Sequence, residues 1–181
     1  GRFEEALRQI GRAQELDPQS VVINLQQASP YMYSRRYGEA MEKIKEGLRL
    51  DPDSPLGIYM LATCHEQLGN YQAAIAEYRK IASTKMGLTG LGYAYGRSGR
   101  RREAREILES LLGEAKRDDL SAYHVARVYA GLGDADEALT WLRQAQEARD
   151  ERLVMVKVDP KLDQLRSTPV FRDLLRSLGL A

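Results

Sequence analysis

Residues 55–84, PLGIYMLATCHEQLGNYQAAIAEYRKIAST, hold two patterns separated by one breaker. Leu61-Ala62 followed by His65 places a large residue, a small neighbour and a ring one turn on, which suits a helix pressed against another. Tyr71, Ala74, Ile75 and Tyr78 form a second stripe at i, i+3, i+4 and i+7. Gly69-Asn70 lies between them, and glycine tolerates the left-handed conformation that follows a helix end. The stretch therefore predicts helix, turn, helix.

The same unit recurs on both sides. An alanine preceded by an acidic or small residue falls at Ala6, Ala40, Ala74, Ala104 and Ala138, with separations of 34, 34, 30 and 34 residues. Five positions upstream stand Gly1, Arg35, Gly69, Gly99 and Gly133, and Asp17-Pro18 and Asp51-Pro52 are again 34 apart. Leu91-Gly92 with Tyr95 and Val125-Ala126 with Tyr129 repeat the first-helix pattern. Tyr37, Ala40, Met41, Ile44 and Leu48, and then Ala138, Leu139, Leu142 and Ala145, repeat the second. Three marks sharing one period mean a serial array. The expected division is 1–20 as a second helix without its first, complete repeats at 21–54, 55–84 (shortened), 85–118 and 119–152, and a C-terminal segment at 153–181.

These residues resemble the tetratricopeptide repeat family over about residues 1–150. Leu61-Ala62, His65, Gly69, Tyr71, Ala74, Tyr78 and Ile81 follow its pattern, as do Val125-Ala126, Tyr129, Gly133, Ala138, Leu142 and Ala145. The resemblance implies an all-α, right-handed solenoid of antiparallel helix pairs, with a concave face built by the first helices. The run from Lys157 to Phe171 also looks like the tail of repeat arrays in bacterial multidomain regulators, with Leu162 and Val170 departing from that tail. In such proteins the array is a sensory or docking end, and catalysis or DNA binding lies in other domains.

Local breaks in the pattern carry further expectations. Pro30 should kink or delay its helix. Gly87, Gly90, Gly92 and Gly96 lower helix propensity between 85 and 97 by about 1 kcal/mol each relative to alanine, and close helix contact is their simplest use. Asp159-Pro160 and Thr168-Pro169 each put a capping side chain before a proline suited to a helix start. Val170, Phe171, Leu174, Leu175 and Leu178 then form one apolar face, fit to cap the last repeat. Phe3, Ala6, Leu7 and Ile10 form a stripe that asks for a partner helix, so the chain reads as part of a longer protein or as one able to self-associate there.

Chemistry is sparse. The 181 residues balance 27 Lys+Arg against 26 Asp+Glu, which removes the basic field that nucleic-acid binding requires. One cysteine, Cys64, offers no internal disulfide and no demand for an oxidising compartment, so a cytoplasmic protein is expected. The apolar run Leu153–Val156 is far short of a membrane span. Cys64 and His65 are helix neighbours pointing about 100° apart, and neither His65 nor His124 has partners at metal spacing. Glu4-Glu5 and Asp118-Asp119 read as solvated ends. Arg100-Arg101-Arg102, with Arg97 and Arg105, opens a helix against its dipole, but interleaved glutamates favour a solvated surface. No catalytic residue, cofactor or metal is expected.

By family register, the concave face carries Tyr33, then Tyr59, Thr63 and Glu66, then Tyr93 and Arg97, then Tyr123 and Arg127. Leu25 and Ser29 stand where chaperone-binding members carry the Lys/Asn carboxylate clamp. Tyr93/Arg97 and Tyr123/Arg127 are i, i+4 pairs on one helical face, and tyrosine with arginine is favoured at interfaces. The residues support capture of a peptide or partner segment, with arginines selecting acidic groups, and equally tyrosines that pack between adjacent first helices. A structural scaffold that oligomerises is the competing reading.

Overall fold

The computed structural model describes residues 3–115 and 120–180, so Asp118-Asp119 lie outside the described residues. All described secondary structure is helical, and it forms two compact units divided between Ile81 and Ala82.

In the first unit, helix α1 covers Phe3–Leu16, α2 Val21–Gln26, α3 Ser29–Tyr33, α4 Tyr37–Leu50, α5 Pro55–Gln67 and α6 Tyr71–Lys80. Pro30 acts as its chemistry demands. The helix entered at Val21 stops at Gln26, and α3 restarts with the proline in its first turn, where a missing N–H costs nothing. Ser20 caps α2 by accepting from the Ile23 N–H. The α2/α3 segment and α5 each pack on the helix that follows them, and α4 also packs on α5. Leu25, Ala28, Met32, Ala40, Ile44, Met60 and Cys64 share one core. Cys64 is fully buried and takes part in no disulfide.

The turns behave alike whatever residue occupies them. Gly69 adopts φ +79°, and Arg35, at the equivalent position, adopts φ +63°. For a residue with a Cβ that conformation costs about 1–2 kcal/mol; the repeat geometry imposes it on Arg35 regardless.

In the second unit, α7 covers Lys85–Arg97, α8 Arg101–Ala115, α9 Ala122–Leu132 and α10 Ala135–Glu147. Two 3-10 turns follow, Glu151–Met155 and Pro160–Leu165, and α11 covers Pro169–Ser177. Thr84 caps α7 and Ser121 caps α9. The glycine-rich stretch is an unbroken helix, and close contact accounts for Gly92 and Gly96. A Cβ on Gly96 would lie 2.6 Å from the Gly131 carbonyl carbon, and one on Gly131 would lie 2.8 Å from Tyr93 Cα. Two first helices cross there nearly backbone to backbone.

The tail joins this core. Leu153, Val156, Leu162, Leu165, Phe171 and Leu174 are buried together with Ala138, Leu139, Leu142 and Ala145. Asp159 and Thr168 cap as expected, accepting from the Lys161 and Phe171 N–H groups. The segment after Pro160, however, is a 3-10 turn.

Candidate functional site

Thr63 and Glu66 sit one turn apart on α5, and both are buried, at 4% and 2% exposure. Tyr78, from α6, is fully buried and brings them together. Its hydroxyl lies 3.0 Å from Thr63 Oγ1 and donates to Glu66 Oε2 at 3.1 Å. The half-buried Tyr59 ring packs against Tyr78, with centroids 5.7 Å apart. A carboxylate taken from water needs such donors, so Thr63 and Glu66 form an internal polar cluster. Tyr33, on α3, is 39% exposed. In this unit the register residues that reach solvent with a ring are Tyr33 and Tyr59.

In the second unit the same face is occupied by the chain itself. Tyr123 donates its hydroxyl to Asp159 Oδ2 at 2.7 Å, and Arg127 Nε lies 3.3 Å from that oxygen. The Lys161 N–H donates to Asp159 Oδ1 at 2.9 Å. The Lys161 ammonium, on a fully buried side chain, lies 4.4 Å from the centre of the Tyr93 ring. Arg97 donates to Gln164 Oε1 at 3.2 Å, and Gln164 Nε2 donates to the Ala130 carbonyl. Tyr93, Tyr123 and Arg127 are therefore 4%, 3% and 8% exposed. This corrects the expectation of an open face: Arg127 does select an acidic group, but that group is Asp159. Arg97 alone of the four remains exposed.

Burial by itself would raise the Asp159 pKa. The Arg127 guanidinium, the Tyr123 hydroxyl and the N–H and ammonium of Lys161 outweigh it and hold the carboxyl below its ordinary range. His124, one helix position from Tyr123, moves the other way from a charged state. Burial, followed by the nearby Arg127 and Arg152, lowers its pKa from 6.5 to about 4, and its Nδ1 has no hydrogen-bond partner. The unfolded chain thus binds a proton at His124 before the folded one, so stability falls as pH drops from 6.5 toward 4. About 2 kcal/mol should be lost by pH 5 relative to pH 7.5. Urea unfolding at the two values measures this, and His124→Leu should remove most of the difference.

The arginine run has a structural use. Arg101 donates to the Leu132 carbonyl at 2.7 Å and pairs with Asp134 at 3.4 Å, tying the start of α8 to the end of α9. Arg100 bonds Glu103 and stacks 4.4 Å over Tyr95, while Arg102 lies 3.7 Å from Glu106. Among the described residues no cluster of three or more His, Cys, Asp or Glu could hold a metal ion, and no helix is long and apolar enough to cross a membrane.

Tyr78, Asp159, Lys161 and Gln164 are the partners the sequence reading missed. Tyr78 was legible as a second-helix packing residue, but its hydroxyl belongs to no periodicity. Asp159-Pro160 announced a cap and gave no sign of which face the turn would meet.

No curated protein matches the chain significantly. Among solved structures, two crystal structures of MamA superpose with TM-scores of 0.53 and 0.52, each at 23% identity over 83% of this chain, covering 91% and 85% of the MamA chains. YrrB, described as a TPR protein with an unusual peptide-binding site, gives 0.53 at 14% identity, covering 92% of this chain and 89% of its own. These likenesses concern the fold. The tetratricopeptide repeat family model matches residues 25–87 and 89–152. With helix pairs, turns and register alanines all in place across those residues, the chain belongs to the tetratricopeptide repeat family.

Proposed function

We propose that this chain is a non-catalytic protein-interaction module that holds a peptide or partner segment on the first-helix face of its first unit. The observation that carries the reading is the second unit's Asp159. There the first-helix face holds a turn of the chain, with Asp159 accepting from the Tyr123 hydroxyl and pairing with Arg127, and this supports capture of a segment on the corresponding face of the first unit. In the first unit Tyr33 and Tyr59 offer flat apolar surface with a hydroxyl and little entropy to lose. A peptide-binding site in YrrB, a protein of the same fold, supports the assignment.

Selection of a displayed random-peptide library on the immobilised chain tests it. Enriched peptides should bind at micromolar Kd, and Tyr33→Ala with Tyr59→Ala should weaken them at least about tenfold. Circular dichroism should show unchanged helicity. Enrichment of nothing, or equal binding by the double variant, would overturn the proposal.

A further inference from the structure

The tail that follows α10 has three parts. Its flanks are anchored by apolar side chains: Leu153 and Val156 before, and Phe171 and Leu174 after, are buried with Leu139, Leu142 and Ala145 of α10. The middle, residues 157–167, packs instead on α9. There Asp159 joins Tyr123 and Arg127, the buried Lys161 ammonium meets the Tyr93 ring, and Gln164 bridges Arg97 and the Ala130 carbonyl. Each of these polar contacts ends on α7 or α9, the first helices of the unit. Leu162 and Leu165 complete the fit, both fully buried.

A cover needed for stability alone could be apolar throughout, because exchanging a buried ion pair for apolar side chains of similar volume is often neutral or stabilising. Buried charges at Asp159 and Lys161 add selectivity instead. They make the face fit one order of side chains: an acidic residue, a lysine two positions on, and apolar residues three and six positions on. The element that presents them, Pro160–Leu165, is a 3-10 turn, whose hydrogen bonds are poorer in geometry than those of an α-helix.

We propose that residues 157–167 are an autoinhibitory strap, a tethered occupant of the second unit's first-helix face that a partner segment with the same order of side chains displaces. The flanks stay anchored on α10 while the strap lifts. Tethering holds the strap at an effective concentration of about millimolar, so a free segment competes poorly until the strap is weakened. The proposal extends to the second unit the reading of first-helix faces as capture surfaces, and it is tested on residues of that unit alone, so either can fail without the other.

The probe is a fluorescein-labelled peptide of residues 157–167, KVDPKLDQLRS, titrated by anisotropy into the full chain and into full chains carrying Lys161→Ala or Gln164→Ala. Both substitutions weaken the strap and leave α7 and α9 unchanged, and Gln164 is exposed, so its variant keeps the fold. The peptide should bind each variant at least about tenfold more tightly than the unchanged chain. A peptide carrying Asp159→Ala should bind the variants at least about tenfold more weakly than the native peptide. In the unchanged chain, about 5 mM unlabelled peptide, above the effective concentration of the tether, should speed hydrogen exchange of residues 161–167 while α9 and α10 stay protected. Equal affinity for the unchanged and variant chains, no saturation of the Gln164→Ala chain by about 1 mM, or exchange in the strap that the peptide leaves unaltered would overturn the proposal and make the strap a structural cover only.

Discussion

Asp159→Ala is expected to destabilise the second unit by about 3–5 kcal/mol, the cost of leaving a buried charge without its partner. The substitution removes the carboxylate paired with Arg127, whose side chain is 9% exposed, and with it the acceptor of the Tyr123–Asp159 hydrogen bond. It also removes the cap on the Pro160–Leu165 turn, whose Lys161 N–H bonds the same carboxylate. Guanidinium unfolding followed by circular dichroism measures the loss. Arg127→Met alone should cost less, because Asp159 keeps the Tyr123 hydroxyl, the Lys161 N–H and the nearby Lys161 ammonium. The two changes together should cost less than their sum, by about 1–3 kcal/mol of coupling. Additive losses would show that the pair does not act as a unit.

Gly131→Ala should destabilise the second unit as well. A methyl group there meets the Tyr93 backbone at 2.8 Å, closer than real Cβ contacts come, and backbone cannot step aside as a flexible side chain can. Overpacking of this kind costs about 1–3 kcal/mol, against a gain of about 1 kcal/mol in helix propensity. A net loss of up to about 2 kcal/mol is expected for Gly131→Ala, and at least as much for Gly96→Ala, whose Cβ would lie 2.6 Å from Gly131. Thermal melts of the two variants test both. A rise in stability at either site would mean that α7 and α9 do not cross this closely.

The two predictions separate what a linear pattern can carry from what it cannot. The glycines of α7 are visible in the sequence as a propensity deficit, with close contact as their simplest use; that Gly96 meets Gly131 of α9 is decided only by the tertiary structure. The helix at Val21 was expected to suffer from Pro30, and it does, by splitting into α2 and α3. The Asp159 and Thr168 caps were legible because capping is local, involving groups two or three residues apart.

The groove residues fared differently, for a physical reason. Register places Tyr59, Thr63, Glu66, Tyr93, Tyr123 and Arg127 on the first helices, but it says nothing about what lies over them. Glu66 is buried because Tyr78 donates to it, and Arg127 because a turn 32 residues later supplies Asp159. Lys161 would pass in any sequence scan as a solvated charge; it is fully buried over the Tyr93 ring.

The sequence by itself determined the repeat, its period, the helix pairs and their ends. Each follows from hydrophobic spacing and from backbone chemistry within a few residues of glycine, proline and the caps. Only the tertiary structure decided which faces are free. Burial depends on segments far apart in the chain, and so the tail came to fill the first-helix face of the second unit.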